Sequence, residues 1–201
     1  NEVFNLGETI GLKGSSGVGK STFINLILGF LKPDSGKIIV DNNEIDLEYL
    51  ETSNWKKKFS YVPQSVYLFD ESIKYNITLE DDEKKIDNYL LENVIKLACL
   101  DKFILERIGG AKSKIGEKGL KISGGEKQRI GIARALYRNS QVYVFDEATN
   151  SIDEKTEKKI IENITNYMEK DKIFILCSHN KDLLSICDRI IDFDDNYKSQ
   201  I

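Results

Sequence analysis

Long apolar runs are missing from this sequence. Nowhere do about 18 hydrophobic residues stand together, which excludes a bilayer-spanning helix within these 201 residues. Cysteine is scarce: Cys99, Cys177 and Cys187 form no C-x-x-C pair and no metal-type spacing. Neither a disulfide framework nor a zinc module is indicated, and the three read as small, reduced core residues. Histidine is scarcer still, with His179 alone. Charge of neither sign dominates. A net charge of −4 suggests neither a nucleic-acid-wrapping surface nor one made for anionic lipid. There is no internal repeat, no low-complexity tract and, behind Asn1, no signal-peptide pattern, an opening expected of a piece cut from something longer. What is present is 40% hydrophobic and 31% charged residues, in a length suited to one globular domain or a core with one inserted subdomain.

Strand and helix patterns alternate. "ETIGLKG" (Glu8–Gly14) predicts a strand entering a glycine turn. "KSTFINLILGF" (Lys20–Phe30) predicts a helix, its apolar face made by Phe23, Ile24, Ile27 and Leu28 and continued by Leu31. A Pro/Gly turn leads to a strand over Lys37–Val40 with "DNN" turning after it, and "KFSYVPQ" (Lys58–Gln64) gives a short strand stopped by Pro63. Residues 65–138 are charged and helix-rich. Apolar runs return at "QVYVFDE" (Gln141–Glu147) and "KIFILCSH" (Lys172–His179), as in parallel strands covered on both faces. "RIIDF" (Arg189–Phe193) predicts the last strand. The fold class is α/β, with a core over 1–64 and 139–201 and a helical insertion over 65–138.

Between the first strand and the first helix stands "GSSGVGKST", Gly14 to Thr22, which fits G-x-x-x-x-G-K-[ST] in the context that pattern requires. Gly14, Gly17 and Gly19 let the backbone curl so that several N–H groups face one anion, and the helix adds its positive N-terminal end. Ser15, Ser16, Val18 and Thr22 complete the loop. Lys20 reaches the β- and γ-phosphates and the Ser21 hydroxyl is a Mg²⁺ ligand. A glycine turn that merely caps a helix would not need the lysine and hydroxyl in register, so this is a nucleoside triphosphate site.

Such a loop needs an acidic partner. "QVYVFDE" delivers Asp146 and Glu147 at the carboxyl end of a strand, where open α/β sheets bind ligands. Asp146 is expected to hold Mg²⁺ through water, and Glu147 to take a proton from the attacking water, a contribution of about 10²- to 10⁴-fold in rate. His179 ends the next apolar strand, which turns a lone histidine from a structural residue into a candidate γ-phosphate contact. Gln64, at the junction of core and insertion, is placed to touch Mg²⁺ and the attacking water.

The stretch "ISGGEKQR", Ile122–Arg129, poses a separate question. Ser123 and Glu126 form S-x-x-E, a capping box that opens a helix. Capping does not explain Gly124 and Gly125, which are poor helix residues. A helix tip without Cβ atoms is an anion site. With the local phosphate loop already occupied, the expected ligand is the γ-phosphate held by a second copy, in a head-to-tail dimer.

With these stretches in hand, the chain resembles the nucleotide-binding domain of an ATP-binding cassette (ABC) transporter over essentially its whole length. "GSSGVGKST" matches the family's Walker A motif, "YVPQ" its Q-loop, "ISGGEKQR" its signature and "VYVFDE" its Walker B motif. "NSID" (Asn150–Asp153) corresponds to the D-loop, and Ser178–His179 to the switch-histidine loop. "SKIGEKG" (Ser113–Gly119) resembles the X-loop of exporters, and "VPQSVYLFDESIKYNI" the exporter form of the sequence after the Q-loop. The resemblance implies a P-loop NTPase (RecA-like) core, part of an N-terminal antiparallel β subdomain, and ATP with Mg²⁺ as cofactors. It also implies ATP hydrolysis in a closed dimer with a second nucleotide-binding domain, Asp153 contributing at the nucleotide, and transmembrane domains as partners at the cytoplasmic face of a membrane. No nucleic acid is expected. The expected cargo is a lipid, glycolipid or peptide. The alternative is an ABC ATPase outside transport, in DNA repair or translation, although no sustained heptads separate Walker A from the signature.

Three departures from the family pattern stand out. Glu126 replaces the usual signature glutamine and keeps the capping box. The D-loop reads Asn-Ser-Ile-Asp, where Ser-Ala-Leu-Asp is commoner. The family's adenine-stacking ring is missing: Phe4, the one aromatic before Lys20, stands too close, so that ring is expected upstream of residue 1. Its loss would cost about 1–3 kcal/mol of nucleotide affinity, by analogy with base stacking on aromatic side chains.

Overall fold

A computed structural model describes residues 2–50, 52–116, 122–168 and 170–198. Five strands form one parallel sheet: β1 (Thr9–Lys13), β4 (Phe59–Val62), β5 (Val142–Asp146), β6 (Ile173–Cys177) and β7 (Arg189–Asp192), in the order β4-β5-β6-β1-β7. Between β1 and β4, β2 (Ile39–Val40) and β3 (Asn43–Glu44) pair as a small antiparallel hairpin. Its turn residues Asp41 and Asn42 both take positive φ, the conformation of a tight hairpin turn. The predicted strand over Lys37–Val40 is therefore shorter than expected and gains a polar partner. The helix α1 (Lys20–Ile27) follows the phosphate loop, and the short helices α2 (Leu47–Leu50) and α3 (Ser53–Lys56) lead into β4.

Among the described residues, four α-helices lie between β4 and β5: α4 (Ile73–Thr78), α5 (Asn88–Leu97), α6 (Asp101–Leu105) and α7 (Gly124–Tyr137). They share one apolar cluster with a face of the sheet. Ile77, Val94, Leu100 and Ile130 join Phe145, Phe174 and Leu176 there, while Ile10, Leu12, Ile24, Val144 and Ile175 form the cluster on the opposite face. The alternation along β5 and β6 sends successive side chains to opposite layers, which explains why both read as unbroken apolar runs. After β5 come α8 (Glu154–Tyr167) and, beyond β6, α9 (Lys181–Leu184) and α10 (Phe193–Lys198). The predicted last strand loses Phe193 to α10, because Asp192 Oδ1 accepts from the Asp194 N–H and turns the chain. Similarly α1 stops at Ile27: Gly29, at φ 73°, turns the backbone, and a Cβ there would lie 2.3 Å from the Leu50 carbonyl oxygen.

Cys177 is buried and Cys99 and Cys187 are partly so, all three as free thiols. Among the described residues no helix is long and apolar enough to cross a membrane.

Candidate active site

The sheet register puts Asp146 opposite Cys177 and Cys177 opposite Leu12, so the loops after β5, β6 and β1 leave the same carboxyl edge. At that edge Gly17 and Gly19 hold positive φ with open space around them. Their glycines serve backbone conformation, not packing. No side chain caps α1 and no acidic residue stands in its first turn, so its N-terminal N–H groups keep their attraction for an anion. Lys20 is buried, its Nζ donating to the carbonyls of Gly14 at 2.7 Å and Ser15 at 2.9 Å.

The start of the loop is tied down from the far end of the chain. Ser15 donates to Asp194 through its hydroxyl at 2.7 Å and through its backbone N–H, bonds that hold the Asp194 carboxyl below the usual range. Lys13 pairs with Asp192 at 2.7 Å. Nothing local in the sequence announces these contacts. They exist because β7 lies beside β1.

Glu147 lies just past β5 with φ 49°, a left-handed conformation uncommon for a residue with a side chain. The ladder reaches this far, since the Glu147 N–H donates to the Cys177 carbonyl at 3.1 Å. Its carboxylate meets three groups: Gln64 Nε2 at 3.0 Å and Asn150 Nδ2 at 2.9 Å, both donating to Oε2, and His179 Nε2 at 3.0 Å from Oε1. Gln64, Glu147 and His179, three expected catalytic residues, thus converge from three adjacent strand ends. Asn150 had no assigned role at this carboxylate. Its position three residues after Glu147 is the signal that marks it.

Asp146 is buried, with the Tyr61 hydroxyl donating to Oδ2 at 3.3 Å. Burial, reinforced by the charge of Asp146, pushes the Tyr61 phenol up to about 12 and the Cys177 thiol up to about 12, so both stay protonated at neutral pH. For a cation, the Asp146 carboxylate and Ser21 hydroxyl are hard oxygen donors that suit Mg²⁺, which takes few protein ligands and fills its shell with water and phosphate oxygens. Among the described residues no group of three or more His, Cys, Asp or Glu could hold a metal by itself.

Ser123, Gly124 and Gly125 lie elsewhere, in a cleft of about 470 Å³ lined also by Arg129, Ser151, Ile152, Asp153 and Thr156 and by no phosphate-loop residue. The capping box is formed: Ser123 Oγ accepts from the Glu126 N–H and Glu126 Oε2 accepts from the Ser123 N–H at 2.7 Å. A second molecule's phosphate is the expected reason for the bare glycines, yet the chain supplies a nearer one. A Cβ on Gly124 would lie 3.2 Å from Ser151 Cβ, and one on Gly125 would lie 2.8 Å from the Ser151 carbonyl oxygen. Asp153 caps α8, and the hydrogen bonds it accepts from Thr156 hold its carboxyl below the usual range. Gln128, also unassigned from sequence, is buried and links the loops: its Nε2 donates to the Gln64 carbonyl and its Oε1 accepts from the Ser151 N–H at 2.8 Å.

The two exporter-like stretches meet. Ser72 pairs with Lys114 in an isolated bridge, the Ile73 N–H donates to the Ser113 carbonyl, and the Ile115 N–H to the Glu71 carbonyl, with Ile115 fully buried. Residues 117–119 of the expected X-loop lie outside the described residues. Phe4 packs on Phe23, with Arg189 over its ring, which commits it to the chain's own core.

Comparison with known proteins bears on the family and the fold. Residues 2–150 match the family described as ABC transporter. The chain is 38% identical over 189 residues to a protein of Aliivibrio fischeri named ATP-dependent lipid A-core flippase, covering 94% of this chain and 32% of that one. It is 35% identical over 190 residues to a protein of Rickettsia prowazekii named as an export ATP-binding/permease protein, with coverage of 94% and 32%. A solved bacterial Atm1-family ABC exporter with ATP bound superposes at a TM-score of 0.81 with 32% identity, over 92% of this chain and 32% of its own. The chain spans about a third of the length of these relatives.

Proposed function

The chain belongs to the ABC transporter family, and on that footing we propose that it hydrolyses ATP to drive an exporter. The observation that carries this reading is the Glu147 carboxylate, held by Gln64 and His179 at the edge of the sheet where the phosphate loop begins. ATP is bound by Gly14–Thr22, its β- and γ-phosphates on Lys20 and the N–H groups of α1. Glu147 removes a proton from the attacking water, and His179, beside it, meets the γ-phosphate. Ser21, Asp146 and the Gln64 amide oxygen would hold Mg²⁺, which shields phosphate charge when bound.

Ser123, Gly124, Gly125 and Asp153 cover the nucleotide of a second copy, a role supported by a cleft that contains none of the chain's own phosphate loop. The helices between β4 and β5 act as the subdomain that meets membrane domains at the cytoplasmic face. Supporting this is a second cleft of about 440 Å³ beside the Gln64 loop, between Pro63, Tyr67, Leu79 and Arg134, with Tyr67 and Leu79 exposed. A lipid or glycolipid cargo is favoured by the name of the Aliivibrio fischeri relative.

Glu147→Gln tests the central step. We expect phosphate release to fall by about 10²- to 10⁴-fold, with ATP still bound and the dimer accumulating. Turnover at the wild-type rate would remove Glu147 as the base.

A further inference from the structure

We infer that Asn150 is a positioning residue for Glu147, fixing the direction in which its carboxylate is presented; this rests on the assignment of Glu147 as base. Three donors meet this carboxylate, but they differ in how they are tethered. Gln64 and His179 reach it from 83 and 32 positions away, on loops that follow other strands. Asn150 reaches it from three positions away, and its own N–H returns to the Glu147 carbonyl at 3.4 Å. Carboxylate and amide therefore belong to a single turn and move together.

The division of acceptors sets that direction. Oε2 accepts from both Gln64 and Asn150, whereas Oε1 meets only the His179 ring among these three. With Oε2 taken up by two N–H groups of this chain, Oε1 is the oxygen left facing the His179 side of the site. In the reading above, Gln64 and His179 have second duties, at Mg²⁺ and at the γ-phosphate. Asn150 has none, and it stays on Oε2 when they turn to the nucleotide. The hold is local: Glu147 takes a left-handed backbone conformation at the head of this turn, and Asn150 fastens its carboxylate to the turn's other end.

The test uses the purified protein in the longest form its gene encodes, measuring ATP hydrolysis and thermal unfolding together. Asn150→Leu and Asn150→Asp, both similar in size and both without a donor, should lower kcat about 10- to 100-fold, the worth of one hydrogen bond to a charged group. KM for ATP should stay unchanged. Asn150→Gln, which restores an amide, should recover most of the rate. In a Glu147→Gln background, Asn150→Leu should leave the residual rate where it is. Wild-type kcat in Asn150→Leu and Asn150→Asp, or an equal further fall in the Glu147→Gln background, would overturn the inference while leaving Glu147 as base. Full turnover by Glu147→Gln alone would overturn both assignments.

Discussion

A methyl group on Gly125 would come 2.8 Å from the Ser151 carbonyl oxygen, a backbone atom with little freedom to withdraw. In an open helix, glycine to alanine gains up to about 1 kcal/mol. Here crowding costs about 1–3 kcal/mol and outweighs that gain. Gly125→Ala is therefore expected to lower the urea midpoint of unfolding. Gly124→Ala should lower it less, since the nearest approach there is 3.2 Å, to Ser151 Cβ, and the next atom, Ser151 Oγ, can rotate away. Equal midpoints for both variants would mean that Ser151 is not what keeps position 125 bare. The contrast with Ser123 and Glu126 shows what one residue's surroundings reveal in sequence. A capping box closes within four residues and can be read directly. The reason for Gly125 lies in a loop that only the folded chain brings near.

Elements meet through Gln128, which projects from α7 and joins the loop after β4 to the loop after β5. Gln128→Leu would keep its bulk but strip the Gln64 carbonyl and the Ser151 N–H of that partner, at a cost of about 0.5–1.5 kcal/mol for each hydrogen bond lost. A lower unfolding temperature and a lower kcat are the expected readouts, because Gln64 and Ser151 both lose an anchor. Gln128→Glu keeps the acceptor for Ser151 but buries a carboxylate against the Gln64 carbonyl oxygen, so it should lose at least as much; a Gln128→Glu variant as stable as the wild type would argue against the Gln64 bond. At this scale β5 and β6 were plain in the sequence, since burial on two faces leaves an unbroken apolar signature. β3 was not, because Asn43 and Glu44 are exposed and polar and owe their strand to a tight turn.

The molecule as a whole is expected to complete its nucleotide site only with a partner. Lys20→Ala removes a phosphate contact and Ser123→Arg blocks the opposing helix tip, each costing about 100-fold in hydrolysis. Mixed together, the two variants should regain activity that neither has alone, because one of the two shared sites in a mixed dimer is then intact. No recovery on mixing would reject a site built across two copies. Motifs in order made the local phosphate site legible, but the strand order could not be read from them. Nothing near Thr9 indicates that its N–H donates to Asp188, 179 positions later. β1 lies between β6 and β7, the last two strands of the sheet to appear in the sequence. Such distant pairings form late. A chain still leaving the ribosome thus carries β1, and the loop that follows it, without a lateral neighbour until β6 has been synthesised and without its second until β7 has.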